Sequence, residues 1–140
     1  MELLAVVVLI GIFAAVGTAR YGRSIFAEFG AQGEARELSL ALLAAQRSSI
    51  TTGENHFIEF NAAEATSYRL MRRSGAVDVE VQGWEPLSDD VTLTVSSTVL
   101  EFDFEGHALA AYTIDCVGEA RSFHLAVIPI TGAIQVTETT

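Results

Sequence analysis

The first twenty residues, MELLAVVVLIGIFAAVGTAR, constrain this chain more than any other stretch. Thirteen of residues 1–16 are aliphatic, alanine or phenylalanine, and Glu2 is the one charge among them. Leu3 to Ala19 is an uncharged run of 17 residues, at the short edge of the roughly 17–25 that a membrane-spanning helix needs. A charge inside such a helix costs roughly 2.5–3.5 kcal/mol near the bilayer centre on insertion scales, so a retained carboxylate points to a use. A cleaved secretory signal is the rival reading. Ala14 to Ala19 offers small residues for cleavage, but no basic residue precedes Leu3. Arg20 and Arg23 follow the run. Under the positive-inside rule they would hold the rest of the chain in the cytoplasm, unless a precursor carries basic residues upstream of Met1.

Charge narrows what the remainder can bind. The chain has 18 acids and 8 bases, and every base is arginine. From Ser24 onward 17 acids face 6 arginines, a net of −11. A domain this acidic has no electrostatic footprint for nucleic acid or for an anionic lipid surface. Arg69, Arg72 and Arg73 form the one basic cluster, with Arg69 and Arg73 expected on one strand face and Arg72 on the other. Cys116 is the single cysteine, which excludes an intrachain disulfide and a cysteine-based zinc site. In the alternating run Tyr112, Ile114, Cys116 it reads as a small buried hydrophobe.

Periodicity divides the chain further. Residues 34–50 are helical by period, with Ala35, Leu38, Ala41, Leu42 and Ala45 on one face. Gly53 is placed to end that helix as a left-handed residue. Beyond it the period drops to two. Residues 56–60 and 67–72 predict a hairpin around 61–66, and 77–81, 91–95, 100–104, 112–117, 122–130 and 133–137 predict further strands. Strands with one apolar face need a cover, and the apolar face of the helix supplies it. The expected fold is α+β: a long N-terminal helix whose C-terminal half packs on antiparallel sheet. The expected parts are a membrane or filament-core segment (1–23), its amphipathic continuation (24–53) and a β-rich head (54–140). Gly17, Gly22, Gly30 and Gly33 each cost a helix interior ~1 kcal/mol relative to alanine, so this stretch is expected to bend or melt locally on assembly.

The sequence Met1 to Val16, with Glu2 near its start and Gly11 nine residues later, resembles the N-terminus of type IV pilins and type II secretion pseudopilins. On that alignment Met1 is the fourth residue of a mature pilin, and the Gly-Phe cleavage junction lies upstream of the chain given. Ala19 stands where many members carry a kinking proline. The order of helix, strands, Phe102-Asp103-Phe104-Glu105-Gly106 and Thr131-Gly132 resembles the pseudopilin H and minor-pilin group. The resemblance implies a structural subunit, processed by a prepilin peptidase and N-methylated. It would be held in the inner membrane by its single helix with the head outside the cytoplasm, then drawn by an assembly platform into a filament of like subunits. It also implies that Glu2 pairs with the N-terminal amine of a neighbouring subunit. A buried charge needs such a partner; a Glu2 resting at the membrane–water edge is the bland alternative. A single-span or secreted β-rich binding module that forms no filament is the alternative function.

Other candidates have bland readings. Asp103, Glu105 and His107, expected on one polar strand face, are able to ligate a hard cation or zinc, and also fit plain solvated polarity. Asp89-Asp90 with Glu85 lacks a twelve-residue calcium pattern. His56, His107 and His124 come with no hydrolase signature. Trp84 is expected in a loop, and burial is the commoner state for a lone tryptophan. No catalytic residue, metal or cofactor is expected.

Overall fold

Alanine and leucine at helical spacing, then β-branched residues at alternate positions, set the order of elements. The computed structural model describes residues 30–139. Helix α1 covers 30–52. Its buried face is Ala31, Ala35, Leu38, Leu42 and Ala45, with Ala41 partly buried against the same core. Gly53 closes it at φ +71°, and its N–H donates to the Ser49 carbonyl at 2.9 Å. That is the left-handed cap that a residue without Cβ adopts at little cost.

Nine strands follow: β1 (Asn55–Phe60), β2 (Glu64–Ala65), β3 (Ser67–Ser74), β4 (Val77–Pro86), β5 (Thr92–Val95), β6 (Val99–Phe102), β7 (Tyr112–Val117), β8 (Ser122–Val127) and β9 (Ile134–Thr139). They form two antiparallel sheets, ordered β4-β3-β1-β6 and β2-β5-β7-β8-β9. The predicted hairpin of β1 and β3 is present, with Phe60 opposite Tyr68. Its connection carries β2, which pairs with β5 of the other sheet. β6 likewise leaves β5 and pairs with β1. These two crossings tie the sheets around one core, in which Ile58 and Leu100 of the first sheet and Leu93, Ile114 and Leu125 of the second join the helix face. The architecture is the α+β arrangement that the periodicity calls for.

Three local expectations are corrected. The strand expected over 100–104 stops at Phe102. Asp103 turns the chain: its Oδ1 accepts the N–H groups of Glu105 at 2.9 Å and His107 at 2.8 Å. This local side-chain bonding competes with the ladder and wins. Asp103, Glu105 and His107 therefore lie on a turn and not on a strand face, and Phe104 is exposed. Trp84 lies in β4, not a loop, and is exposed. The eighth strand ends at Val127, short of the expected Ile130.

Candidate assembly surface

The head grips α1 at two places. At the first, Gly118 follows the end of β7, and an added Cβ there would lie 2.8 Å from the Ala31 Cβ. A residue this close to the helix has no room for a side chain. Three residues on, Glu34 is buried and its carboxylate accepts the Ser88 N–H at 3.2 Å. Burial pushes its pKa up, and Glu37 adds to the rise. Beside it Tyr68 donates its hydroxyl to Glu85 at 2.8 Å. Burial and the carboxylate beside it hold the phenol well above its ordinary range.

At the second place the two glycine motifs meet. Gln46 donates through Nε2 to the Gly106 carbonyl at 2.8 Å and lies 3.4 Å from the Thr131 carbonyl. Gly132 sits at φ +61°. A Cβ there would press into the Gly106 carbonyl oxygen and the Gln46 amide. Phe102-x-x-x-Gly106 and Thr131-Gly132, 26 residues apart in sequence, thus close on one glutamine of the helix. Ile50 completes the contact, reaching within 2.7 Å of where a Gly106 Cβ would be.

Of the residues singled out for assembly, Glu2, Gly17 and Gly22 lie outside the described residues. Gly30 and Gly33 are among the first described residues of α1, and both are helical. A Cβ on Gly30 would make ordinary contact with Val91 at 3.8 Å, and one on Gly33 would meet nothing.

The arginine cluster is matched by acids. Arg69 donates to Glu59 at 2.6 Å and to Glu80 at 3.1 Å. Arg73 donates to Asp78 at 3.0 Å and to the buried carboxylate of Glu101 at 2.6 Å, which Asn55 also bonds at 2.9 Å. Arg72 faces Glu54 at 3.3 Å. The Arg69 guanidinium lies over Trp84 at 4.6 Å and that of Arg73 over Phe57 at 4.9 Å. Each guanidinium of the cluster thus faces at least one carboxylate, which offsets the positive charge that phosphates would need.

The remaining candidates stay apart. His56 is buried and bonds the Glu54 carbonyl at 3.0 Å. His124 pairs with Asp115 at 2.6 Å across β7 and β8. The donor atoms of Asp103, Glu105 and His107 lie within 4.8 Å of one another, the one such group among the described residues. The two amides that Asp103 accepts account for its position as a turn-closing residue, and Glu85 is engaged by Tyr68. Cys116 is buried, with its thiol pushed up to about 12 by burial.

Helix, two sheets and their order form the basis for comparison with known proteins. No family model and no curated protein matches the sequence. Solved structures do. The minor pseudopilin EpsH from the type 2 secretion system of Vibrio cholerae is similar at a TM-score of 0.66 and 10% identity, over 78% of this chain and 97% of that one. The type IV minor pilin FimU of Pseudomonas aeruginosa is similar at 0.66 and 14%, over 81% and 92%. A second crystal form of FimU gives 0.62 and 16%. The fold is pilin-like. The two grips are where the β-rich head is joined to α1. Among the described residues no helix is long and apolar enough to cross a membrane, and the predicted spanning segment lies outside them. The signals that sequence reading passed over are Glu34, Gln46 and Gly118. A glutamate on the apolar face one turn before Leu38 was the visible clue to the first grip.

Proposed function

We propose that this protein is a structural subunit of a pseudopilus or type IV pilus-like filament, and within that class a minor pseudopilin of type II secretion. One observation carries the reading. A pilin-like head closes around a helix that follows, in sequence, an apolar run with a single carboxylate near its start. Before assembly the apolar run lies in the inner membrane and holds the head outside the cytoplasm. A prepilin peptidase and an inner-membrane platform are the expected partners. The stems then bury one another in the filament core. Glu2 sets the register by pairing with a neighbour's N-terminal amine, because an unpaired buried carboxylate would be costly. The head supplies rigidity and surface, and no chemistry.

Glu2→Ala, expressed beside the wild-type chain, tests this. The variant is expected to accumulate in membranes and to be depleted from filaments. Incorporation equal to wild type overturns the mechanism. The mass of the mature N-terminus from native membranes is the companion measurement: a methylated start upstream of Met1 supports processing, and a start near Thr18 or Ala19 makes the run a signal peptide.

A further inference from the structure

The two sheets have four edge strands, β4 and β6 in the first and β2 and β9 in the second; the two long ones, β4 and β9, are treated differently by the chain. β4 closes the first sheet and β9 the second, and each has one neighbour among the described residues. Natural edge strands are blunted by bulges, charges and proline, because a free row of N–H and C=O groups invites another strand. β4 carries every one of these devices. Its pairing with β3 is broken by two register shifts, Asp78 and Glu80 stand on it, and Pro86 ends it. β9 carries almost none. Its six residues pair with β8 in unbroken register, from Ile134 opposite Val127 to Thr139 opposite Ser122. It has no proline, glycine or lysine, and its one charge is Glu138. Val136 is 47% exposed on this strand and Ile130, just before it, is 82% exposed.

We infer that the free edge of β9 is a strand-addition site for an extended segment of a neighbouring, non-identical subunit. Main-chain bonds to the edge would supply affinity and alternate side chains specificity. The edge defines the partner's chemistry. Ile134 and Val136 share the face of Leu125 and Val127, so the partner presents aliphatics there. Glu138, on that same face, already engages Arg121 at 3.6 Å and favours a second cation beside it. Gln135, Thr137 and Thr139 occupy the other face and pair with threonine, serine or lysine. Acids are disfavoured throughout, since the chain beyond residue 23 is net −11. The inference rests on the filament reading, which provides neighbours side by side.

The probe is a synthetic peptide of alternating valine and threonine with one lysine near its end, added to the full chain in detergent micelles. Binding is read by titration, and hydrogen exchange at the β9 amides reports where it occurs. Expected results are slowed exchange over Ile134–Thr139 and at least tenfold weaker binding for Val136→Asp. A peptide N-methylated at alternate residues, or with glutamate for lysine, is expected to bind at least tenfold more weakly than the parent. Val79→Asp, on the blunted strand, is expected to leave binding unchanged. No binding up to the peptide's solubility limit overturns the proposal, as does equal weakening by Val79→Asp. A concentration-dependent dimer by light scattering, lost in Val136→Asp, would assign the edge to a second copy and also overturn it. None of these outcomes depends on Glu2. A failed peptide with a depleted Glu2→Ala variant rejects the edge alone; normal Glu2→Ala incorporation rejects the filament mechanism.

Discussion

Gly132→Ala is the most demanding test of how the head holds the stem. Three costs fall on one methyl group. The backbone at φ +61° costs an L-residue roughly 1–2 kcal/mol. The new Cβ overlaps the Gly106 carbonyl oxygen, which is backbone and cannot swing aside; overpacking of this kind costs about 1–3 kcal/mol. Relief by displacing Gln46 loses its bond to Gly106, a net contribution of about 0.5–1.5 kcal/mol. Together these put the loss at about 3–6 kcal/mol, a large part of the ~5–15 kcal/mol that holds a typical domain. Gly75→Ala is the matched control. Its φ is +64° and a Cβ there meets nothing within 4 Å, so it pays only the conformational cost of roughly 1–2 kcal/mol. Urea titration followed by circular dichroism reads both. With an m-value of about 2 kcal/mol/M, Gly132→Ala is expected to lower the midpoint by roughly 1.5–3 M and Gly75→Ala by roughly 0.5–1 M. Equal midpoints for the two variants would refute the contact between the glycine motifs and the helix.

Three further outcomes follow from the buried polar groups. The pKa of Glu34 is raised in the fold, so the native state holds its proton more tightly than the unfolded chain does. Its contribution is therefore complete below the unfolded pKa and declines as pH rises through the folded one; Glu34→Gln should flatten stability across that window, as measured by melting at stepped pH. Arg73→Gln leaves the Glu101 carboxylate with Asn55 alone, at a cost of about 1–3 kcal/mol. Adding Glu101→Gln should recover part of this in a double-mutant cycle, and strict additivity would show that the two groups do not couple. The Cys116 thiol, pushed up to about 12 and buried, should alkylate at mild pH only in proportion to the unfolded fraction. Stability should fall as pH rises from the ordinary thiol range of about 8.5 toward 12, because the unfolded chain ionises first. Labelling of the native protein at the rate of a free thiol would contradict the burial.

What the sequence made legible is what periodicity carries. The face of Ala35, Leu38, Leu42 and Ala45, the cap at Gly53 and most strands follow from spacings of 3.6 and 2. Side-chain capture of backbone, as by Asp103, is invisible to periodicity, and it moved Asp103, Glu105 and His107 from a strand face to a turn. Trp84 was misplaced for a related reason: a bulged edge strand lacks clean alternation, and a guanidinium lies over its ring where a core would be expected. The exchange of β2 and β6 between sheets depends on contacts far apart in sequence, which no local pattern encodes. Gly106 and Gly132 were noticed by resemblance, but their meeting at Gln46 required the three-dimensional path. The acids facing the arginine cluster could be counted from the sequence, but not paired.

The bond from Gln46 to Gly106 spans 60 residues, and the contact to Thr131 spans 85. Closing loops of this length is entropically costly and comes late in folding. A chain made from its N-terminus onward cannot complete this grip until the segment around residue 131 has emerged and returned to the helix. The grip at Gln46 is thus completed after the contacts of Glu34 with Ser88 and of Ala31 with Gly118, whose partners are made earlier. A head truncated before the second glycine motif should lack this grip, so one glutamine of the helix registers whether both distant motifs have been made.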